Sequence, residues 1–543
     1  MTVARNLPRD QMMCAAKILP IGQSDFPSLR QSNAVYVDKT ALIHRLAVAP
    51  RSVFLARPRR FGKSLLVSTL ESLFKFGLRD FRGLAIESLW TDKTYDVVHL
   101  DFSGLKEFKD IEDFSSIFLA HICNRFSEVG FQPENSSNVL AALDNWMRRL
   151  PSLSLVLLID EYDAPLTICL NEPKLFEAVR SVMSQFFSIL KSNVGALRFL
   201  FLTGITKFSS TSIFSGLNNL TDITLAPAYG TLLGYTEEEI RQNFAPRLTQ
   251  AAKTLALSEE ELMDGLRTYY NGFCFDMRAS KKVYCPWSVL SFLDDPEQGF
   301  QNYWFASGGH PTVLMKYLEG HEFEDPANFA ELKEAKLSDL YTPGDLTTID
   351  RDILLTQTGY LTIKSVDDFG IVTLGYPNQE VTMSMAKLYA TELLGGRLYR
   401  PADGVLLTKL LGEGEISPVI DRFNEAFNAL NYDRHPVVNE AACTSYLQAL
   451  MMGADMVPEV EVHTALGRSD LEVTVGKWHW VFEVKFAATT EKAEALLTKA
   501  VSQIKSRRYG ERPHGKKLIR VALVYSAEDR RFVVWKNADA EDA

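Results

Sequence analysis

Three sets of residues in the chain have the types and spacing to handle phosphate esters. The first is Gly62-Lys63-Ser64, near the end of SVFLARPRRFGKSLLVS (52–68). Gly62 lets the backbone approach a phosphate, Lys63 can reach β- and γ-phosphates, and the Ser64 hydroxyl can hold Mg²⁺. Arg57, Arg59 and Arg60 add cations to the same turn, with Arg57 standing where the full GxxxxGKS spacing has a glycine. The second set is Asp160-Glu161. There Asp160 would hold Mg²⁺ and Glu161 would orient or activate an attacking water, with Asp163 next in line for that role. The third set is Asp470, Glu483 and Lys485. Two carboxylates can bind one or two divalent ions, Mg²⁺ or Mn²⁺, while a lysine stabilises the attacking water or the phosphorane.

Such residues work only if the right elements hold them. An apolar run, Val53 to Ala56, enters the GKS turn, and a helix-like run, Leu65 to Phe74, leaves it. Strand, turn and helix in that order place free N–H groups and a positive dipole end at the phosphate. LSLVLLID (153–160) is continuously apolar, as suits a parallel-sheet strand covered on both faces. Acids at the carboxyl end of such a strand lie where open α/β sheets bind ligands. A further strand, Leu197 to Leu202, ends in Thr203-Gly204-Ile205-Thr206, so Thr203 and Thr206 are candidate γ-phosphate sensors. GRSDLEVTV, Gly476-Lys477 and WHWVFEVKF read as a hairpin. Its period of two puts Glu483 and Lys485 on one face. Each set also has a plainer reading: a basic turn before an amphipathic helix, a solvated acidic turn, and a hairpin with one polar face.

The rest of the chain is less specific. Residues 111–150 and 236–330 read as helical, the second stretch rich in aromatics that suit a core. Residues 346–400 pair a helix around Asp352–Leu355 with two strands, a winged-helix-like pattern better suited to packing than to DNA. A helix from about Glu491 to Arg508 follows the WHWVFEVKF strand, and Gln503 would face the third set. Lys505 to Arg520 holds seven basic residues and one acid, a local phosphate-binding candidate. With 543 residues, several cores are needed. The formal charge of −10 excludes a polycation that coats nucleic acid. Six scattered cysteines without a CxxC pair point away from a zinc ribbon or a disulfide framework, and toward a reducing, cytoplasmic setting. No apolar run is long enough for a membrane span.

In chain order, LPIGQSDFPSLR, YVDKT, RPRRFGKSLL, LIDEYDAPL, FLTGITKFSS, IFSGLNNLTDIT, YYNGFCF, GYLTIK, LGYPNQEV, GRSDLEV and FEVKF cover nearly the whole sequence. On these segments the chain resembles the AAA-ATPase-like proteins that carry a C-terminal PD-(D/E)XK nuclease-superfamily domain. The Arg-Pro-Arg-Arg turn is similar to that family's own phosphate loop. The resemblance implies an α/β fold: a P-loop NTPase parallel sheet with helical and winged-helix-like subdomains, followed by an α/β nuclease-like domain. The expected divisions are 17–235, 236–345, 346–400 and 401–543. The ATPase part is similar to signal-transducing P-loop NTPases, in which a Gly-x-Pro element reads the nucleotide; Gly309 and Pro311 match it. The expected ligands are ATP, Mg²⁺ and, through the C-terminal domain, nucleic acid. Two functions fit: a nucleotide-controlled nuclease, or a signalling or scaffold ATPase whose last domain binds without cutting.

Overall fold

The computed structural model describes residues 17–133, 138–207, 220–306, 332–341, 349–393, 401–430, 436–464, 466–511 and 515–539. Two compact units emerge from it. One ends at Val381, and the other takes the chain from Thr382 onward.

The first unit is built on a parallel sheet. Its strands are β1 (Arg51–Ala56), β2 (Asp96–Asp101), β3 (Leu155–Asp160), β4 (Leu197–Gly204) and the short β5 (Thr221–Asp222), in spatial order β2-β3-β4-β1-β5. Every residue of β3 and of β4 is buried, which is why their sequences are largely apolar without alternation, the buried Arg198 of β4 being paired with Asp92. Helices α1 (Lys63–Phe76), α2 (Ile111–Ser127) and α3 (Pro173–Ser192) accompany the sheet. Because neighbouring strands run parallel, the carboxyl ends of β1, β3 and β4 share one edge. Chemistry from three distant segments therefore meets there.

Four helices follow: α4 (Glu237–Asn243), α5 (Ala245–Leu255), α6 (Glu259–Tyr270) and α7 (Pro286–Asp294). Full capping boxes start α4 (Thr236 with Glu239) and α6 (Ser258 with Glu261), satisfying amide donors at each helix start. Their apolar faces share a core with Leu19, Val35 and Val37 from the start of the unit. A three-stranded antiparallel sheet of β6 (Lys333–Lys336), β7 (Thr362–Val366) and β8 (Ile371–Gly375), in order β6-β8-β7, carries helix α8 (Arg351–Thr358). The helix and hairpin are those expected from sequence, and β6 is an added strand. Helix α9 (Gln379–Leu393) begins at the end of this unit.

The second unit is a mixed sheet, β9 (Glu459–Thr464), β10 (Gly467–Val475), β11 (Trp478–Ala487), β12 (Lys517–Ser526) and β13 (Arg531–Asn537), in that spatial order. A two-residue turn with Gly476 at φ +58° joins β10 to β11, the form that matches hairpin twist. β11 and β12 are parallel, and helix α12 (Ala493–Arg507) makes the crossover between them. One sheet face packs Trp480, Phe482 and Val484 against α10 (Ile416–Asn428) and α11 (Glu440–Gly453). The other packs Val481 and Val524 against Ala493, Ala500 and Ile504 of α12. Among the described residues, no helix is long and apolar enough to cross a membrane.

Candidate functional sites

In the first unit, β1 feeds the turn 57–62, and Gly62 takes φ +92° just before α1. Lys63 is buried, and its ammonium donates to the carbonyls of Arg57 and Pro58, each at 3.0 Å. Burial lowers its pKa, against the opposing pull of Asp160, Glu161 and Asp163. Asp160 is also buried, and burial raises its pKa against the Ser64 side chain and Lys63, which favour the charged form. Ser64, Lys63 and Asp160 thus converge from α1 and β3. A hydroxyl beside a carboxylate is a donor set suited to Mg²⁺, which prefers a few oxygen ligands completed by water and phosphate. Glu161 stands at φ +48°, its amide donating to Asp160 Oδ1 at 2.9 Å. Its carboxylate is ion-paired at 2.9 Å with Lys106, which follows β2.

The arginines of the turn divide. Arg60 points outward and stacks its guanidinium 4.1 Å from the Trp287 ring centroid. Arg59 lies half-buried beside Lys63, close enough to lower that lysine's pKa. The Arg57 side chain is turned the other way. It donates to the Thr224 carbonyl at 2.6 Å and the Tyr229 carbonyl at 3.3 Å, over the Phe275 ring at 4.3 Å. Arg57 therefore differs from Arg59 and Arg60 in the direction of its side chain. Its backbone carbonyl belongs to the loop, while its guanidinium also donates to the Ala56 carbonyl at 2.9 Å, and burial lowers its pKa to about 9.

The strand-tip threonines also divide. Thr206 gives its hydroxyl (2.7 Å) and its amide (2.8 Å) to Asp163, so its side chain is engaged inside the fold rather than open to a phosphate. Thr203 is fully buried on β4, and its hydroxyl oxygen is without a partner among the described residues. Gly204 is what lets Asp163 in: a Cβ there would lie 2.5 Å from Asp163 Oδ1 and 2.8 Å from the Tyr162 ring. Gly309 and Pro311 lie outside the described residues. An apolar slot beside Gly62, lined by Tyr36, Val37, Leu65, Leu66, Tyr235 and Pro286, was not anticipated. Nor was Lys106, which has no local motif around it.

In the second unit, the register pairs Leu471 with Phe482, so Asp470 falls opposite Glu483. Asp470 Oδ2 accepts the Val484 amide at 2.8 Å. Glu483 is fully buried; its Oε1 meets Lys485 Nζ at 2.8 Å, and its Oε2 has no partner among the described residues. Burial, and then Asp470, push the Glu483 pKa up to about 7, against Lys485. Burial also raises Asp470. For Lys485, burial works to lower the pKa, but Glu483, Asp470 and Glu440 together outweigh it and raise it. Glu440, first residue of α11 behind the Asn439 cap, sits with its carboxylate 3.4 Å from Lys485. Sequence reading missed it, although an Asn cap followed by an acid was visible. Gln503 gives its amide to the Tyr509 hydroxyl at 3.1 Å. The basic segment is partly neutralised: Arg520 pairs with Asp539 and Glu511, and Lys516 bonds the Gly476 carbonyl.

Among the described residues, no three His, Cys, Asp or Glu side chains form a closed cage. A divalent ion at the hairpin would be held by two carboxylates and completed by water and substrate oxygens, as Mg²⁺ tolerates. The unpartnered Glu483 Oε2 is the atom that fits such a ligand.

The two sites define a class, a phosphate-loop ATPase fold joined in one chain to a nuclease-superfamily fold. A family model described as predicted AAA-ATPase, AAA-ATPase-like, matches residues 20–214. A model of the PD-(D/E)XK nuclease superfamily matches residues 440–535. Over 536 residues the chain is 30% identical to "Uncharacterized protein in vnfD 5'region" of Azotobacter chroococcum mcd 1, covering 95% of this chain and 98% of that protein. The chain belongs to the AAA-ATPase-like family with a C-terminal PD-(D/E)XK nuclease-superfamily domain.

Proposed function

We propose that this protein is a cytoplasmic nucleotide-controlled nuclease: ATP binds in the first unit, and its state governs cleavage of nucleic acid by the second. Residues 17–235 form the ATPase core, 236–345 a helical subdomain, 346–400 a winged-helix-like subdomain and 401–543 the nuclease domain. Lys63 exchanges its two carbonyl partners for β- and γ-phosphate oxygens, and the apolar slot beside Gly62 receives the base. Ser64 and Asp160 hold Mg²⁺, which neutralises phosphate charge. Glu161, freed from Lys106, orients the attacking water. Thr203, whose hydroxyl has no partner among the described residues, is the better of the two sensors.

At the hairpin, Asp470 and Glu483 hold the divalent ion, Mg²⁺ or Mn²⁺, that activates water against a phosphodiester. Lys485 stabilises the charge developing on the phosphorus oxygens. The observation that carries this reading is the buried Glu483–Lys485 pair beside Asp470, with one Glu483 oxygen unsatisfied among the described residues. A buried acid with an orphan oxygen is costly unless a ligand completes it. A nucleotide-dependent scaffold that binds without cutting is the competing reading. The bond from Val484 to Asp470, which occupies one carboxylate oxygen, favours it. The test is cleavage of single- and double-stranded DNA and RNA with Mg²⁺ or Mn²⁺, with and without ATP. Cleavage that responds to ATP is expected. Absence of cleavage on every substrate, with ATP binding intact, selects the scaffold.

A further inference from the structure

Three consecutive carbonyls of the phosphate loop are each held by a donor. Those of Arg57 and Pro58 accept from Lys63, and that of Arg59 accepts the indole N–H of Trp304 at 3.1 Å. Trp304 is 1% exposed, far from the loop in sequence, and its own backbone amide donates to Glu380 Oε1 at 2.7 Å. Glu380 is fully buried in the first turn of α9, and its Oε2 accepts the Ser288 hydroxyl at 2.8 Å. Gly359, the φ +90° residue that ends α8, presses on the same place: a Cβ there would lie 2.6 Å from Pro58 and 3.6 Å from the Trp304 ring.

We infer that Trp304 is a positioning residue for the nucleotide site and that, with Glu380, it latches the phosphate loop to helix α9, so that nucleotide occupancy is felt where the chain leaves the first unit. The inference rests on the nucleotide-site reading above. A ligand moves an equilibrium only through contacts that differ between its two states. Here the difference lies in the three carbonyls. A phosphate that takes the Lys63 ammonium releases those of Arg57 and Pro58, while the Arg59 carbonyl stays pinned by the indole. The loop then relaxes about Arg59, and the load passes through Trp304 to the Glu380 carboxyl. A core tryptophan needs only bulk, and a buried carboxyl is an expensive way to fill space. The donor on one side and the acid on the other therefore point to transmission rather than to filling.

The full chain tests this by hydrogen exchange of residues 379–393 with and without MgATP, alongside MgATP affinity. In wild type, saturating MgATP should change exchange in α9 by about threefold or more. Trp304→Phe keeps a ring and removes the donor. MgATP affinity should fall about 3- to 10-fold, the worth of one hydrogen bond, and α9 should stop responding even at saturation. Glu380→Ala should silence α9 in the same way, and Glu380→Gln, which keeps an acceptor for the Trp304 amide, should restore it. If Trp304→Phe does not fold, the Glu380 pair carries the test. A wild-type α9 response in saturated Trp304→Phe or Glu380→Ala overturns the latch, as does wild type that binds MgATP with α9 unmoved. Failure of wild type to bind MgATP is a different result. It removes the nucleotide site itself, and the latch with it.

Discussion

Each of the two sites has one buried lysine, and the two lysines are held in opposite ways. Lys63 rests on two backbone carbonyls, neutral groups that a phosphate can outcompete. Lys485 rests on the Glu483 carboxylate, a charged partner inside the fold. The first cation is parked, and burial lowers its pKa. The second is bound, and its acidic neighbours raise its pKa despite burial. On the function proposed above, the site that receives polyanions keeps its cation loosely held, and the site that receives a cation keeps its carboxylates neutralised by a lysine, or by a proton, until the ion arrives.

The largest expected effect follows from the parked lysine. Lys63→Ala should abolish MgATP binding, a loss of at least about 100-fold measured by calorimetry, with the circular dichroism spectrum unchanged. Wild-type affinity in the folded variant would mean that the carbonyls, not phosphate, are the lysine's final partners. Next come Asp470→Ala and Lys485→Ala. Each should abolish metal-dependent cleavage while leaving MgATP affinity untouched, because neither side chain belongs to the ATPase unit. Cleavage at the wild-type rate in either variant would refute the hairpin site.

Glu161→Gln should bind MgATP normally and hydrolyse it about 100-fold more slowly, as for a lost general base. Turnover equal to wild type would pass the role to Asp163. That alternative has a structural cost, because Asp163 already accepts from Ile205 and from Thr206.

The smallest effect is on pH. Glu483 is raised in the fold to about 7 from an ordinary 4.5. The stability it contributes is therefore full below about pH 4.5 and lost as pH rises through 7. In chelator, thermal unfolding of the second unit should fall by a few degrees between pH 5 and pH 8, and Glu483→Gln should flatten that slope. Among the described residues the hydrogen bonds of Lys63 go to carbonyls and it lies in the other unit, so Lys63→Met should leave the slope intact. A slope unchanged by Glu483→Gln would assign it elsewhere.

The legible part of the sequence was the part governed by local rules. A continuous apolar strand ending in acids, a glycine before a lysine, and a period-two strand with Glu and Lys on one face each have a short-range signature, and the sheet edges and the hairpin follow from them. The illegible part depends on which distant segment lies alongside. Arg57 looked like one more cation of the turn, yet its direction is set by Thr224 and Tyr229, more than 160 residues away. Lys106 carries no motif, and reaches Glu161 only because β2 and β3 are neighbours in the sheet. Thr203 and Thr206 look alike in sequence. They part because Asp163 can reach only one of them, through the space that Gly204 leaves open.

The left-handed backbone at Glu161 has a consequence for how this protein can drift. A non-glycine residue at φ +48° costs about 1–2 kcal/mol that glycine would not. The half-exposed ion pair with Lys106 returns less than about 1 kcal/mol. Glycine's own loss of chain freedom on folding, about 0.5–1 kcal/mol, takes back the rest, so Glu161→Gly is close to neutral for stability, and on the reading above it is inactivating. A lineage released from the need to hydrolyse ATP would therefore lose this acid at little cost in stability, while Lys63 and the loop could persist as a binding site. The glutamate, rather than the lysine, is thus the residue by which working and silenced members of the family should be told apart.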